Sequence, residues 1–305
     1  MYGDLFNLMA VMLLMMAAGL LLMKAGLISR EGKQSLVNII LYLILPCNII
    51  KAFCIEISLR EIQAMGAALI GSLGIQMFYV LLNRFLYNRF PDSEKPVYQY
   101  ATLCSNAGFL GNPIAQGVFG DLGLLYASVF LIPQRVVMWT AGISCFAQAA
   151  SRKEAVRKVL LHPCIIAVEI GLVLLLFQVQ LPAPLDQTLT GFSRCCSGMT
   201  MLYIGTVLGD VDFRTLASVR QVYFGMLRLV VIPAAVWGVF LLLRVDPLVT
   251  GVCVLMTAMP AGNTTAILAA KYHKNEEAAV RCVVFTTALS LITTPVWSFL
   301  LMAAL

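Results

Sequence analysis

Stretches of about twenty residues almost free of charge recur from one end of this chain to the other, joined by connectors of only a few polar residues. A helix needs roughly 20 mostly apolar residues to cross the hydrocarbon core of a bilayer. Ten segments meet that requirement: residues 5–23, 34–52, 62–82, 97–118, 122–147, 160–179, 188–208, 218–243, 248–270 and 281–303. Only 12% of the 305 residues are charged and the mean hydropathy is +0.89, whereas a soluble domain carries about 25% charged residues. The apolar runs are too long for barrel strands and show no alternation of period two. The class left is an all-α, multi-pass membrane protein. The first span is read as helix one rather than a cleaved signal, because no Lys or Arg precedes it and Asp4 does.

The positive charge is distributed by side. With the N-terminus outside, 15 of the 21 Lys and Arg fall in inner connectors, 4 in outer ones, and Arg135 and Arg228 lie within spans. That is the positive-inside asymmetry, and it predicts both termini outside. The net charge of +6 therefore sets orientation and calls for no nucleic acid. Nine cysteines are scattered without a C-x-x-C and read as small apolar fillers; the Cys195–Cys196 pair is given no role.

The connector "SRKEAVRK", residues 151–158, divides the ten spans into two sets of five, 1–150 and 159–305. An odd number of spans per half means that related halves insert with opposite orientations, a plan common among carriers. The fourth span of each half carries the same irregularity: "NAGFLGNPIA" (Asn106–Ala115) and "MPAGNTTAI" (Met259–Ile267). Proline removes a donor and clashes with the preceding turn, so each motif predicts an interrupted helix. Asn112 followed by Pro113 reads as the N-cap and first residue of a fresh half-helix. Unwound backbone at membrane depth survives only when protein or a watery cavity surrounds it, and there it can hold a ligand. Half-helix N-termini favour an anion. Asn106, Gly108, Gly111, Asn112 and Pro113 are thus candidate substrate-binding residues in the first break, and Pro260, Gly262, Asn263 and Thr264, beside Thr265, in the second.

The same residues resemble the auxin efflux carrier family, which includes plant auxin carriers and bacterial organic-acid permeases. Asn106, Gly111 and Pro113 match its fourth-helix motif. "GVFGDLGLLYASVF" resembles the family's junction between helices four and five, and "MWTAG" its fifth helix. "AMPAGNTTAILAAKY" resembles its second crossover helix, and "LPCNII" its second helix. The resemblance implies ten helices in two inverted five-helix repeats. Helices 1, 2, 6 and 7 would form a scaffold and homodimer interface. Helices 3–5 and 8–10 would form a transport domain that moves like an elevator. The central hydrophilic loop of plant members is absent, since only residues 148–159 occupy that place. The chain therefore resembles a bacterial-type member of an inner (cell) membrane, with a small carboxylate rather than auxin as its substrate.

Three ionisable residues fall near mid-span: Arg135, Glu169 and Arg228. Central charges are expensive and functional by default. Arg135, one span after the first break, is the candidate counter-charge, because a guanidinium grips a carboxylate through two parallel hydrogen bonds. Its alternative is a structural pair with Glu169 or backbone carbonyls. Arg228 is open between a site role and snorkelling to the interface. Glu169 is open between proton coupling and a structural or interface role. His162 and His273 read as solvated helix-end residues. Enzyme signatures, metal clusters and nucleotide loops are missing, so no enzyme activity, metal or cofactor is expected. The leading function is a secondary or facilitative carrier of a small organic anion, with proton, sodium or no coupling ion all open. The alternatives are a cation/proton exchanger on a similar plan and a non-transporting membrane sensor.

Overall fold

The computed structural model describes residues 2–55, 58–146, 156–157, 159–209 and 218–304. The connector 151–158 falls outside the described residues apart from 156 and 157. The described residues are all-helical and contain no strand, only an isolated bridge between Ser105 and Ala261. In chain order the helices are α1 (Tyr2–Lys24), α2 (Arg30–Ile39), α3 (Leu45–Phe53), α4 (Leu59–Leu86), α5 (Lys95–Leu103), α6 (Asn112–Val137), α7 (Ile143–Phe146), α8 (Pro163–Leu176), α9 (Ala183–Gly209), α10 (Val219–Met226), α11 (Ile232–Leu242), α12 (Pro247–Thr257), α13 (Thr264–Lys271) and α14 (Glu276–Ala304). Among the described residues, six continuous helical stretches are long and apolar enough to cross a membrane. The ten expected spans are therefore not ten unbroken helices. The fourth and ninth are interrupted, the sixth is a helix of 14 residues, and the seventh, although 27 residues long, carries Asp186 and Arg194.

Proline chemistry accounts for most of the irregular helix. Wide turns of π type occupy Ile40–Ile44, Ala107–Gly111 and Leu227–Val231, each ending two residues before Pro46, Pro113 or Pro233. A proline cannot donate to the carbonyl four residues back, and its ring collides with it. Adding one residue to the turn moves that carbonyl aside. The carbonyl displaced by Pro233 is Leu229 O, and it accepts a bond of 2.7 Å from Trp297 Nε1. Helix starts are capped by the favoured residue types at Ser29, Ser58, Ser218 and Asp246, and at His162 the ring Nδ1 accepts from Cys164 N.

The chain reverses inside the stretch assigned to α6. Gly120 has φ +70° and ψ −161°, a backbone that L side chains avoid. A Cβ at Gly123 would lie 2.4 Å from Ala115 O, a contact that only a folded-back chain makes. The fourth and fifth spans are thus a tight hairpin, and its return arm carries Gln134 and Arg135 back to the first break.

Packing follows small residues. α1 and α9 lie in backbone contact along Gly19, Gly205 and Gly209, where a Cβ at Gly205 would sit 1.9 Å from Met16 O. Such close approach is how membrane helices associate. α3 packs on α8 and α9, α4 on α6 and α12, and α14 on α10, α12 and α13.

Candidate functional site

The site grows from two places where helices stop. α5 ends at Leu103, and Cys104 takes extended angles (φ −122°, ψ 98°). α12 ends at Thr257, and helix resumes only at Thr264. Stopped helices leave backbone N–H and C=O groups without intrahelical partners, and here the two breaks satisfy each other. Asn106 N donates to Pro260 O at 2.7 Å and Gly262 N donates to Cys104 O at 2.9 Å. This antiparallel bridge is braced on both flanks. Gln134 Nε2 donates to Ser105 O at 2.9 Å, and Ser105 Oγ donates to Gln134 Oε1 at 3.1 Å. Ala261 N donates to Thr286 Oγ1 at 3.1 Å. Gly262 sits close against the bridge: a Cβ there would lie 3.1 Å from Cys104 O and 3.2 Å from Ser105 O, so that backbone would have to give way.

Asn112 and Pro113 do not start the fresh half-helix as expected. Asn112 already has helical angles (φ −57°, ψ −52°), and its N–H donates to Ala107 O across the π turn. The interruption lies earlier, at Cys104–Asn106, because the wide turn absorbs Pro113 without ending the helix. Asn112 is fully buried, and neither its amide nitrogen nor its amide oxygen has a partner. Gly111 lies against Met256 of α12 and Met259 of the second break. Asn263 also does not cap its own helix; its Nδ2 donates to Tyr203 Oη at 3.0 Å. Thr264 opens α13, and Thr265 is fully buried with an unpartnered hydroxyl.

Arg135 comes back along the hairpin and lies on Gly108. A Cβ at position 108 would be 2.7 Å from Arg135 Nη2, so the missing side chain is the guanidinium's seat. Arg135 is 8% exposed, its Nη1 faces Met138 Sδ at 3.8 Å, and its Nε has no partner. The expected alternative pair with Glu169 is not made: Glu169 is exposed on α8, whose Gly171 packs on Phe53 of α3. No Asp or Glu is buried among the described residues. The ion pairs seen there, Lys51–Asp186, Arg60–Asp246, Arg220–Glu94 and Arg281–Glu277, all retain solvent exposure.

Arg228 does not snorkel. It is 1% exposed, its Nη1 donates to Tyr79 Oη at 2.9 Å, and its guanidinium carbon lies 5.2 Å from the Tyr79 ring centroid. That ties it to α4, apart from the contacts Arg135 makes. Sequence reasoning missed Ser105, Gln134, Tyr203 and Thr286. Gln134, a second polar residue beside a mid-span arginine, was a usable signal. Nothing in the sequence pointed to Tyr203, because it touches the breaks only through the folding of α9.

The sequence of this chain matches a model of the membrane transport protein family over residues 4–157 and 150–298. An uncharacterized transporter of Methanothermobacter thermautotrophicus is 26% identical over 203 residues, 66% of this chain and 66% of that one. An uncharacterized transporter of Methanocaldococcus jannaschii is 20% identical over 290 residues, 90% of this chain and 92% of its own. The chain spans just under two thirds of the first relative and nearly all of the second. Because the family match covers almost the whole sequence, the chain belongs to the membrane transport protein family, an auxin efflux carrier-like family of membrane transporters.

Proposed function

We propose that this protein carries a small organic anion, a carboxylate, across a cell membrane, by secondary or facilitated transport. The observation that carries the reading is Arg135, a buried guanidinium seated on Gly108 beside two paired helix breaks, with no carboxylate against it. A buried charge needs compensation. An anion arriving between the breaks supplies it, helped by the N-terminal ends of the helical segments starting at Ala107 and Thr264. The unpartnered Asn112 amide and Thr265 hydroxyl add buried polar capacity within the two motifs. A cation exchanger would place an acid at the break, and among the described residues none is buried.

The architecture that goes with this reading is ten crossings in two inverted repeats, 1–150 and 159–305, with the fourth and ninth spans broken at the bridge and both termini outside. Packing of α1, α3, α8 and α9 on one another, and of α4 with α6 and α12, supports a scaffold of spans 1, 2, 6 and 7 beside a moving unit of the other six. In this reading the moving unit shifts elevator-fashion and the scaffold pairs with a second copy.

Carboxylate binding to purified protein tests the site. Each charge-assisted hydrogen bond contributes about 1.5–3 kcal/mol, roughly ten- to a hundredfold in affinity. Arg135→Ala is expected to lose carboxylate binding while remaining monodisperse, and Arg135→Lys to weaken it. Unchanged affinity in a folded Ala variant would reject the assignment.

A further inference from the structure

Tyr203 connects the two breaks to the part of the molecule least able to deform. Its neighbours on α9, Leu202 and Gly205, are in backbone contact with α1: a Cβ at Gly19 would lie 2.0 Å from Leu202 O, and one at Gly205 1.9 Å from Met16 O. α1 and α9 therefore move as one platform. From that platform Tyr203 reaches both breaks. Its hydroxyl accepts a hydrogen bond from Asn263 of the second, and its ring lies 5.8 Å from that of Phe109 in the first. Between platform and breaks lies a cavity lined mostly by apolar side chains, with Met12, Met16, Met201 and Ile204 on one side, Leu110 and Ile114 on the other, and α14 adding Ser290 and Thr294. Apolar walls slide past each other without losing directed bonds, whereas a hydroxyl–amide bond holds one register.

We infer that Tyr203 is a positioning residue that latches the paired breaks to the α1–α9 platform, and that its bond to Asn263 must release before the site shifts against the scaffold. The inference rests on the reading of the breaks as a moving carrier site. A neutral hydroxyl–amide hydrogen bond is weak enough to open thermally and strong enough to bias the resting state, by roughly two- to tenfold in population. The Asn263 amide, held by the hydroxyl at rest, becomes free on release.

Alkylation of a reporter in the seam tests this without any carboxylate present. Leu110→Cys is buried in the resting state and should label slowly with a membrane-permeant maleimide, read peptide by peptide by mass spectrometry. Adding Tyr203→Phe keeps the ring but removes the hydroxyl, and should speed labelling two- to tenfold. Asn263→Ala, acting at the other end of the bond, should give a similar increase, and the double variant no further one. Labelling of Cys195, exposed on the same helix, and of Cys253, fully buried in α12, should not change. Unaltered labelling of the reporter in both variants would overturn the latch, as would equal acceleration at Cys253, which indicates general loosening. If wild type fails to move any anion yet these labelling changes appear, the anionic-substrate reading falls while the moving site and its latch stand.

Discussion

Gly108 and Arg135 define each other. The arginine was conspicuous in the sequence because a charge in mid-span is expensive. The role of Gly108 was not, since it depends on a hairpin that turns at Gly120 and returns residue 135 to the break. Whether Gly108 is a seat or merely a kink residue can be measured. In Gly108→Ala the new methyl would meet Arg135 Nη2, the far end of a flexible side chain, so the guanidinium swings aside at little cost to the fold. The expected outcome is a melting temperature within a few degrees of wild type, a change of at most about 1 kcal/mol, with carboxylate affinity reduced roughly tenfold or more. A loss of stability with affinity intact would contradict the assignment. Arg228, equally conspicuous in the sequence, is bonded to Tyr79 and packed on its ring, while its Nε, like that of Arg135, has no partner.

Among elements, local chemistry was legible where it is strictly local. Ser58 with Glu61, and Asp246 with Pro247, start α4 and α12 where capping rules place them. Asn112 with Pro113 has the same signature and does not start a helix, because a π turn accommodates the proline from the preceding side. No single-residue rule separates these outcomes; what differs is whether the preceding segment is already helical. The contact between α1 and α9 was equally hidden, since glycines in an apolar run carry no sign of which partner they face. Gly205→Ala tests it, because a methyl there would overlap Met16 O, which is backbone and cannot swing away. Overpacking of this kind costs about 1–3 kcal/mol, so the melting temperature should fall by several degrees, whereas Gly191→Ala, with open space around it, should leave it unchanged. Equal melting of the two variants would show that α1 and α9 are not a rigid pair.

For the whole molecule, the class was legible because hydropathy and charge asymmetry are sums over many residues and survive local errors. The number of crossings was less so, because broken spans leave short helices such as α5, α12 and α13, of 9, 11 and 8 residues, which look alike whether they end in lipid or in protein. The 15-to-4 split of basic residues between the two sides is the sequence's argument for an orientation with both termini outside. Cysteines placed at Ser151 and Gln187 should label from the cytoplasm and from outside respectively, and the reverse pattern would invert the topology. The bridge between Cys104–Asn106 and Pro260–Gly262 joins residues more than 150 positions apart, so the pairing of the breaks was visible only as a similarity of composition and not as contact. What that bridge is for is the central claim, and uptake into liposomes tests it most directly. Wild-type protein reconstituted at known density should take up a radiolabelled carboxylate saturably, and Arg135→Ala, equally well inserted, should fall to the rate of empty liposomes. Equal carboxylate uptake by both proteins, or cation flux that persists without any anion movement, would contradict the account.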